Sequence, residues 1–135
     1  MKKVLILCTG NSCRSIIAEA LINSKVDGVE AISSGVKASG KVNPNAKRVL
    51  EENNIWQEKY HSKTIDKVMD IDFDLIVTVC DNAKSTCPIF PKQIKTIHIG
   101  FDDPDGLEYK SFIDTYNDIE RVLLPIIKEK IEISN

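Results

Sequence analysis

The sequence predicts an α/β fold built on a parallel sheet, and three observations carry that reading. Short apolar runs and helix-spaced apolar residues alternate along the whole 135-residue chain. The apolar runs are continuous rather than alternating, the pattern of strands covered on both faces. No internal repeat, low-complexity tract or linker-like composition divides the chain, so one domain over residues 1–135 is expected. A chain of this length buries roughly 65–70% of the surface it exposes when unfolded.

Val4–Leu7 is the first predicted strand. After a short loop, Ile17, Ala20, Leu21 and Ser24 fall at helical spacing, with Glu19 and Asn23 directed elsewhere. Val29–Ser33 fits a second strand. Asn43-Pro44 reads as an N-cap followed by proline at the first helical position, and Ala46, Val49 and Leu50 supply the apolar stripe of that helix. A short helix is expected from about Thr64 to Met69. Leu75–Val79 is the third strand and Thr96–Ile99 the fourth. From Ser111 onward, Phe112, Tyr116, Ile119, Leu123, Ile126 and Ile127 keep helical spacing. Pro125 should kink or split that last helix, because it removes a backbone donor.

The charge balance narrows the function. Eighteen basic and 20 acidic side chains give a net charge of −2, with no basic block or stripe, so nucleic-acid binding lacks an electrostatic footprint. No stretch approaches a membrane span. Met1-Lys2-Lys3 followed by Val4–Leu7 is too short for a secretory leader, since Gly10, Asn11, Ser12 and Arg14 follow at once. A cytoplasmic monomer is the expectation. In that compartment Cys8, Cys13, Cys80 and Cys87 read as thiols, and any disulfide they form as transient and catalytic. His61, His98 and Trp56 carry no assigned chemistry.

In open parallel sheets, ligands bind beyond the carboxyl ends of the strands. Cys8 lies at that end of the first strand, Cys80 at that end of the third, and Asp102-Asp103 soon after the fourth. The loop Cys8-Thr9-Gly10-Asn11-Ser12-Cys13-Arg14-Ser15 separates cysteine from arginine by five residues, between a strand and a helix. Its N–H groups can form an anion-binding nest, to which the helix start adds its positive dipole end. Gly10 permits positive φ, and Asn11 tolerates it. Arg14 can grip two oxygens of a tetrahedral anion with its planar fork. The same donors, with the Ser15 hydroxyl, should stabilise a Cys8 thiolate and lower its pKa. Thr9, Gly10, Asn11, Ser12, Cys13 and Arg14 are thus the expected oxyanion-binding residues, with Cys8 beneath the central atom.

Leu7–Ser15 with Ala18-Glu19, Ser33–Gly35, Asn43-Pro44 and Asp103-Pro104 resembles the low-molecular-weight protein tyrosine phosphatase superfamily over nearly the whole chain. The resemblance implies a four-stranded parallel sheet flanked by helices, with the oxyanion loop between the first strand and first helix. It further implies Cys8 as nucleophile, Arg14 as clamp and Asp103 as general acid. Cys80 to Cys87-Pro88, and Gly100-Phe101-Asp102-Asp103-Pro104, resemble the thioredoxin-coupled arsenate reductases of that superfamily. This implies reduction of arsenate, with phosphate or sulfate as mimics, and Cys80 then Cys87 as resolving thiols. Thioredoxin would be the external reductant, with no tightly bound cofactor. Cys13 occurs in both branches and can protect Cys8 in phosphatases.

The departures from these patterns are specific. Asp105 follows Pro104, where phosphatases commonly carry an aromatic wall. Ile99 stands where the reductases often have tryptophan, and Ala20 replaces a frequent glycine. Some relatives bind potassium through residues matching Asn11, Glu19 and Ser33 and a later acid. Lys63 falls at that acid's position, so its ammonium is expected to replace the ion, and no metal site is expected.

Neighbouring first and third strands would lie ~4.8 Å apart and bring Cys80 to Cys8. A helix between Cys80 and Cys87 would hold them ~10 Å apart, beyond the ~7 Å disulfide limit, so residues 81–87 are expected to unwind or shift during turnover. The alternatives are a phosphatase working through a Cys8 thiol-phosphate with Asp103 as acid, and a thiol redox sensor that needs no oxyanion clamp. A four-cysteine zinc site is disfavoured, because zinc pairs are usually spaced two to four residues apart.

Overall fold

The computed structural model describes residues 1–80 and 94–133, with side chains to Ile131; Cys87 and the expected rearrangement of residues 81–87 lie outside them. The described elements are β1 (Lys2–Cys8), α1 (Arg14–Lys25), β2 (Val29–Gly35), α2 (Pro44–Glu52), a 3-10 turn (Ile65–Lys67), β3 (Leu75–Thr78), β4 (Thr96–His98) and α3 (Tyr109–Ile133). The four strands form one parallel sheet in the order β2-β1-β3-β4. β1 is central, which explains why its residues Val4–Cys8 are all buried.

Alternation along the strands divides the core. Val4, Ile6, Leu75 and Val77 join Ile17 and Leu21 of α1, Val49 and Leu50 of α2, and Phe112, Ile119 and Leu123 of α3 in one apolar cluster. Leu5 and Ile76 face the other way, onto Val68 and Phe73. Asn43 caps α2 as expected, its side chain accepting from the Asn45 N–H at 2.8 Å, with Pro44 at the first helical position.

Two local expectations are corrected. The helix expected from Thr64 to Met69 is only the 3-10 turn Ile65–Lys67. Pro125 does not split the last helix, which runs unbroken for 25 residues from Tyr109. Pro125 and Arg121 are both exposed, so water can satisfy the Arg121 carbonyl that loses its partner.

The sheet order makes β1 and β3 neighbours, with Leu7 opposite Thr78 and the Val79 N–H bonded to the Leu7 carbonyl at 3.0 Å. The ends of both strands, and the chain leaving β4, therefore meet at one edge of the sheet.

Candidate active site

The chain leaves β1 at Cys8 and re-enters helix at Arg14. Val36, Lys37, Ser39 and Asn43 donate their N–H groups to the carbonyls of Cys8, Thr9, Gly10 and Ser12 at 2.9–3.0 Å. The loop carbonyls are thus consumed by the segment after β2. The N–H groups of Gly10, Asn11, Ser12 and Cys13 donate to no group among the described residues, which leaves them available to an anion. Arg14 completes the cradle. Its Nη1 donates to the Phe101 carbonyl at 2.9 Å, its Nη2 lies 3.5 Å from Asp103 Oδ2, and its Nε is buried without a partner. A cavity of about 240 Å³ is bounded by the loop from Cys8 to Arg14, by Ser39, and by Asp103 and Asp105.

Asn11 holds the loop from beneath. It is fully buried at φ 50°, the left-handed region that asparagine tolerates. Its Nδ2 donates to Ser15 Oγ at 2.8 Å and Ser33 Oγ at 2.9 Å, while its Oδ1 accepts from the Lys63 N–H at 2.8 Å. Ser33 in turn donates to buried Glu19 at 2.6 Å. Burial pushes the Glu19 carboxyl up, opposed by the Lys63 charge and the Ser33 hydroxyl. Burial lowers the Lys63 ammonium, opposed by Glu19, and its Nζ donates to the His61 carbonyl at 3.2 Å.

Three expectations about this loop are corrected. Gly10 does not occupy the left-handed region; Asn11 alone does so within the loop. The glycine that close packing demands is Gly35, where a Cβ would stand 2.5 Å from the Thr9 carbonyl oxygen. Ser15 makes no hydrogen bond to Cys8 among the described residues; its Oγ accepts from Asn11 Nδ2 instead.

The third correction concerns Cys8 itself. Its thiol pKa is raised rather than lowered. The hydrogen-bonding contact with Cys80 is the largest cause and burial the second, while Arg14 and the Thr9 N–H oppose them. Two sulfurs in contact titrate as a pair and keep a proton between them. Cys80, one residue beyond Val79, is buried and also lies 3.1 Å from Thr9 Oγ1. The structure therefore brings Cys8 and Cys80 together over the end of the sheet, neither of them in a disulfide.

Cys13, buried beside the cavity, is pushed up to about 11, chiefly by burial, with Asp105 and Asp103 adding and Ser12 and Arg14 opposing. Asp103 is half exposed at the rim. Sequence reasoning passed over Asp105 as part of the cavity wall and Asn43 as its support. Asn43 Nδ2 donates to Asp105 Oδ1 at 2.8 Å, a contact between distant segments that no local pattern announces. Among the described residues no helix is long and apolar enough to cross a membrane.

Comparison with known proteins agrees with this geometry. The family model for low molecular weight phosphotyrosine protein phosphatase matches residues 3–131. The arsenate reductase of Bacillus cereus (strain AH187) is 43% identical over 112 residues, covering 82% of this chain and 83% of that protein. The crystal structure of arsenate reductase from Archaeoglobus fulgidus superposes with a TM-score of 0.80 at 32% identity, covering 93% of this chain and 98% of that one. An arsenate reductase in its phosphate-binding state gives a TM-score of 0.76 at 27% identity, over 96% of this chain and 98% of that one.

Proposed function

The chain belongs to the low-molecular-weight phosphotyrosine protein phosphatase family, and on that premise we propose that it reduces arsenate to arsenite by a cysteine relay that starts at Cys8. The observation that carries this reading is the contact of Cys80 with Cys8, the cysteine that lines the oxyanion cavity. A phosphatase needs one nucleophile and water. A second thiol against the first is what electron transfer from sulfur to arsenic requires.

The residues divide the work as follows. Loop N–H groups from Gly10 to Cys13 and the Arg14 guanidinium hold the oxyanion, while the Thr9 N–H serves the Cys8 sulfur. The positive charge of Arg14 favours the Cys8 thiolate against the hold of Cys80, and the thiol proton passes by way of the bound arsenate to the Asp103 carboxylate. The Cys8 thiolate attacks arsenic, and an arsenate oxygen leaves as water with a proton supplied by Asp103. Arg14 exchanges its bond to Asp103 for the substrate, which turns that carboxyl toward the leaving oxygen. Cys80 then attacks the Cys8 sulfur. The electron pair of the S–As bond passes to arsenic, arsenite departs, and Cys8 and Cys80 are joined. Attack by Cys87 on Cys80 releases Cys8, and a thioredoxin dithiol reduces the Cys80–Cys87 bridge. Ser15 acts by fixing Asn11, and Lys63 supplies the cationic charge under Glu19. The setting that suits this cycle is the reducing cytoplasm, with the chain acting as a monomer and holding no resident cofactor.

The test is steady-state arsenate reduction driven by thioredoxin, thioredoxin reductase and NADPH, run beside hydrolysis of an aryl phosphate. Wild type should turn over arsenate many times and hydrolyse the ester slowly. Cys8→Ser should lose both activities. Efficient ester hydrolysis with no arsenate-dependent NADPH oxidation would make the chain a phosphatase.

A further inference from the structure

The rim of the oxyanion cavity carries more negative charge than anion binding explains. Asp103 and Asp105 both line it, against Arg14 as the one cation among the described residues there. Asp105 is held there by the framework. Its Oδ1 accepts from Asn43 Nδ2 at 2.8 Å, and Asn43 is itself fixed as the cap of α2. Its backbone N–H donates to Asp103 Oδ1 at 3.0 Å. Oδ2 of Asp105 makes no hydrogen bond among the described residues. The titratable groups around it are Asp103, Arg14 and Cys13, whose sulfur lies 3.9 Å from Asp105 Oδ1.

An ionised carboxylate only accepts hydrogen bonds. Facing a bare anionic oxygen it repels; facing a hydroxyl on an oxyanion it takes a strong, charge-assisted bond. Inorganic arsenate and phosphate keep at least one hydroxyl at neutral pH, whereas sulfate has none. A phosphate monoester, with its second ionisation at about 6, is mostly without one as well. We propose that Asp105 is a specificity-determining residue that accepts a hydrogen bond from the protonated oxygen of arsenate or phosphate and so disfavours sulfate and phosphomonoester dianions. This proposal rests on the reading of the Cys8–Ser15 loop as an oxyanion site and adds to it a choice among oxyanions. It gives Asp105 a role at the position where phosphatases carry an aromatic wall.

The experiment is calorimetric titration of the reduced full-length chain with phosphate and with sulfate, near neutral pH at constant ionic strength, for wild type and Asp105→Asn. Wild type should bind phosphate at least about tenfold more tightly than sulfate, the scale of one hydrogen bond to a charged group. Asp105→Asn should compress that ratio by a similar factor, because the amide can donate to sulfate. An unchanged ratio in Asp105→Asn, or a wild type that prefers sulfate, would overturn the proposal while leaving the oxyanion site intact. Binding of neither anion would overturn the oxyanion reading and this proposal together.

Discussion

Cys80→Ser should abolish repeated arsenate turnover while making Cys8 more reactive. The two effects have opposite signs because Cys80 does two things. As a resolving thiol it supplies the second sulfur of the bridge, and serine cannot. Loss of one member of a unit that acts together removes most of the activity, on the order of 10³-fold or more. As a neighbour, Cys80 is the largest cause that raises the Cys8 thiol. Removing it leaves the Arg14 charge and the Thr9 N–H to favour the thiolate, so the pKa of Cys8 falls. Alkylation of Cys8 by iodoacetamide, followed against pH, should therefore shift its midpoint downward in Cys80→Ser. Alkylation must be read at Cys8 by peptide mass, since Cys13 is also free. A variant with lost turnover and an upward or unchanged midpoint would mean that Cys80 is not the proton-sharing partner of Cys8.

Arg14→Lys should cost about 10²–10³-fold in turnover on arsenate and on any aryl phosphate alike, the usual loss when a preorganised donor to a reacting oxyanion is removed. Lysine keeps the charge but not the fork. It cannot keep one nitrogen on the Phe101 carbonyl while others turn to the oxyanion, as Arg14 can with Nη1 on Phe101, Nη2 exchanging Asp103 for substrate, and Nε buried without a partner. Phosphate binding by calorimetry should weaken together with turnover. The cysteine relay downstream is untouched, so the thiol count of the reduced variant should match wild type. Equal losses for reduction and ester hydrolysis are expected; a loss confined to one would separate the clamp from the common first step. A thiol redox sensor would be indifferent to this substitution.

Much of the fold was legible because it is written in local periodicity. Continuous apolar runs marked the strands, and the Asn43-Pro44 pair marked the start of α2 to the residue. The loop was legible because its residue types at that spacing serve one chemistry. What escaped was set by segments far apart in sequence. The direction of the Cys8 shift depends on Cys80 arriving from the end of β3, and a strand-to-helix motif read alone contains only the groups that lower it. Ser15 was assigned to the sulfur because it is near in sequence. Asn11, turned inward at φ 50°, takes that hydroxyl instead. Gly10 was read as the loop's source of positive φ, whereas the glycine that close approach demands is Gly35, where β2 passes the Thr9 carbonyl. Pro125 was expected to kink or split the last helix, but its exposed position lets the helix continue without a split.

The most direct measurement of the relay is a single turnover without external reductant. Fully reduced wild-type chain is mixed with a stoichiometric amount of arsenate, quenched by alkylation, and analysed for arsenite and for the position of any disulfide. The relay requires one arsenite per chain, with Cys80 and Cys87 joined and both Cys8 and Cys13 recovered as alkylated thiols. Arsenite released with Cys80 still alkylated, or a chain that forms no disulfide and leaves the arsenate unreduced, would contradict it.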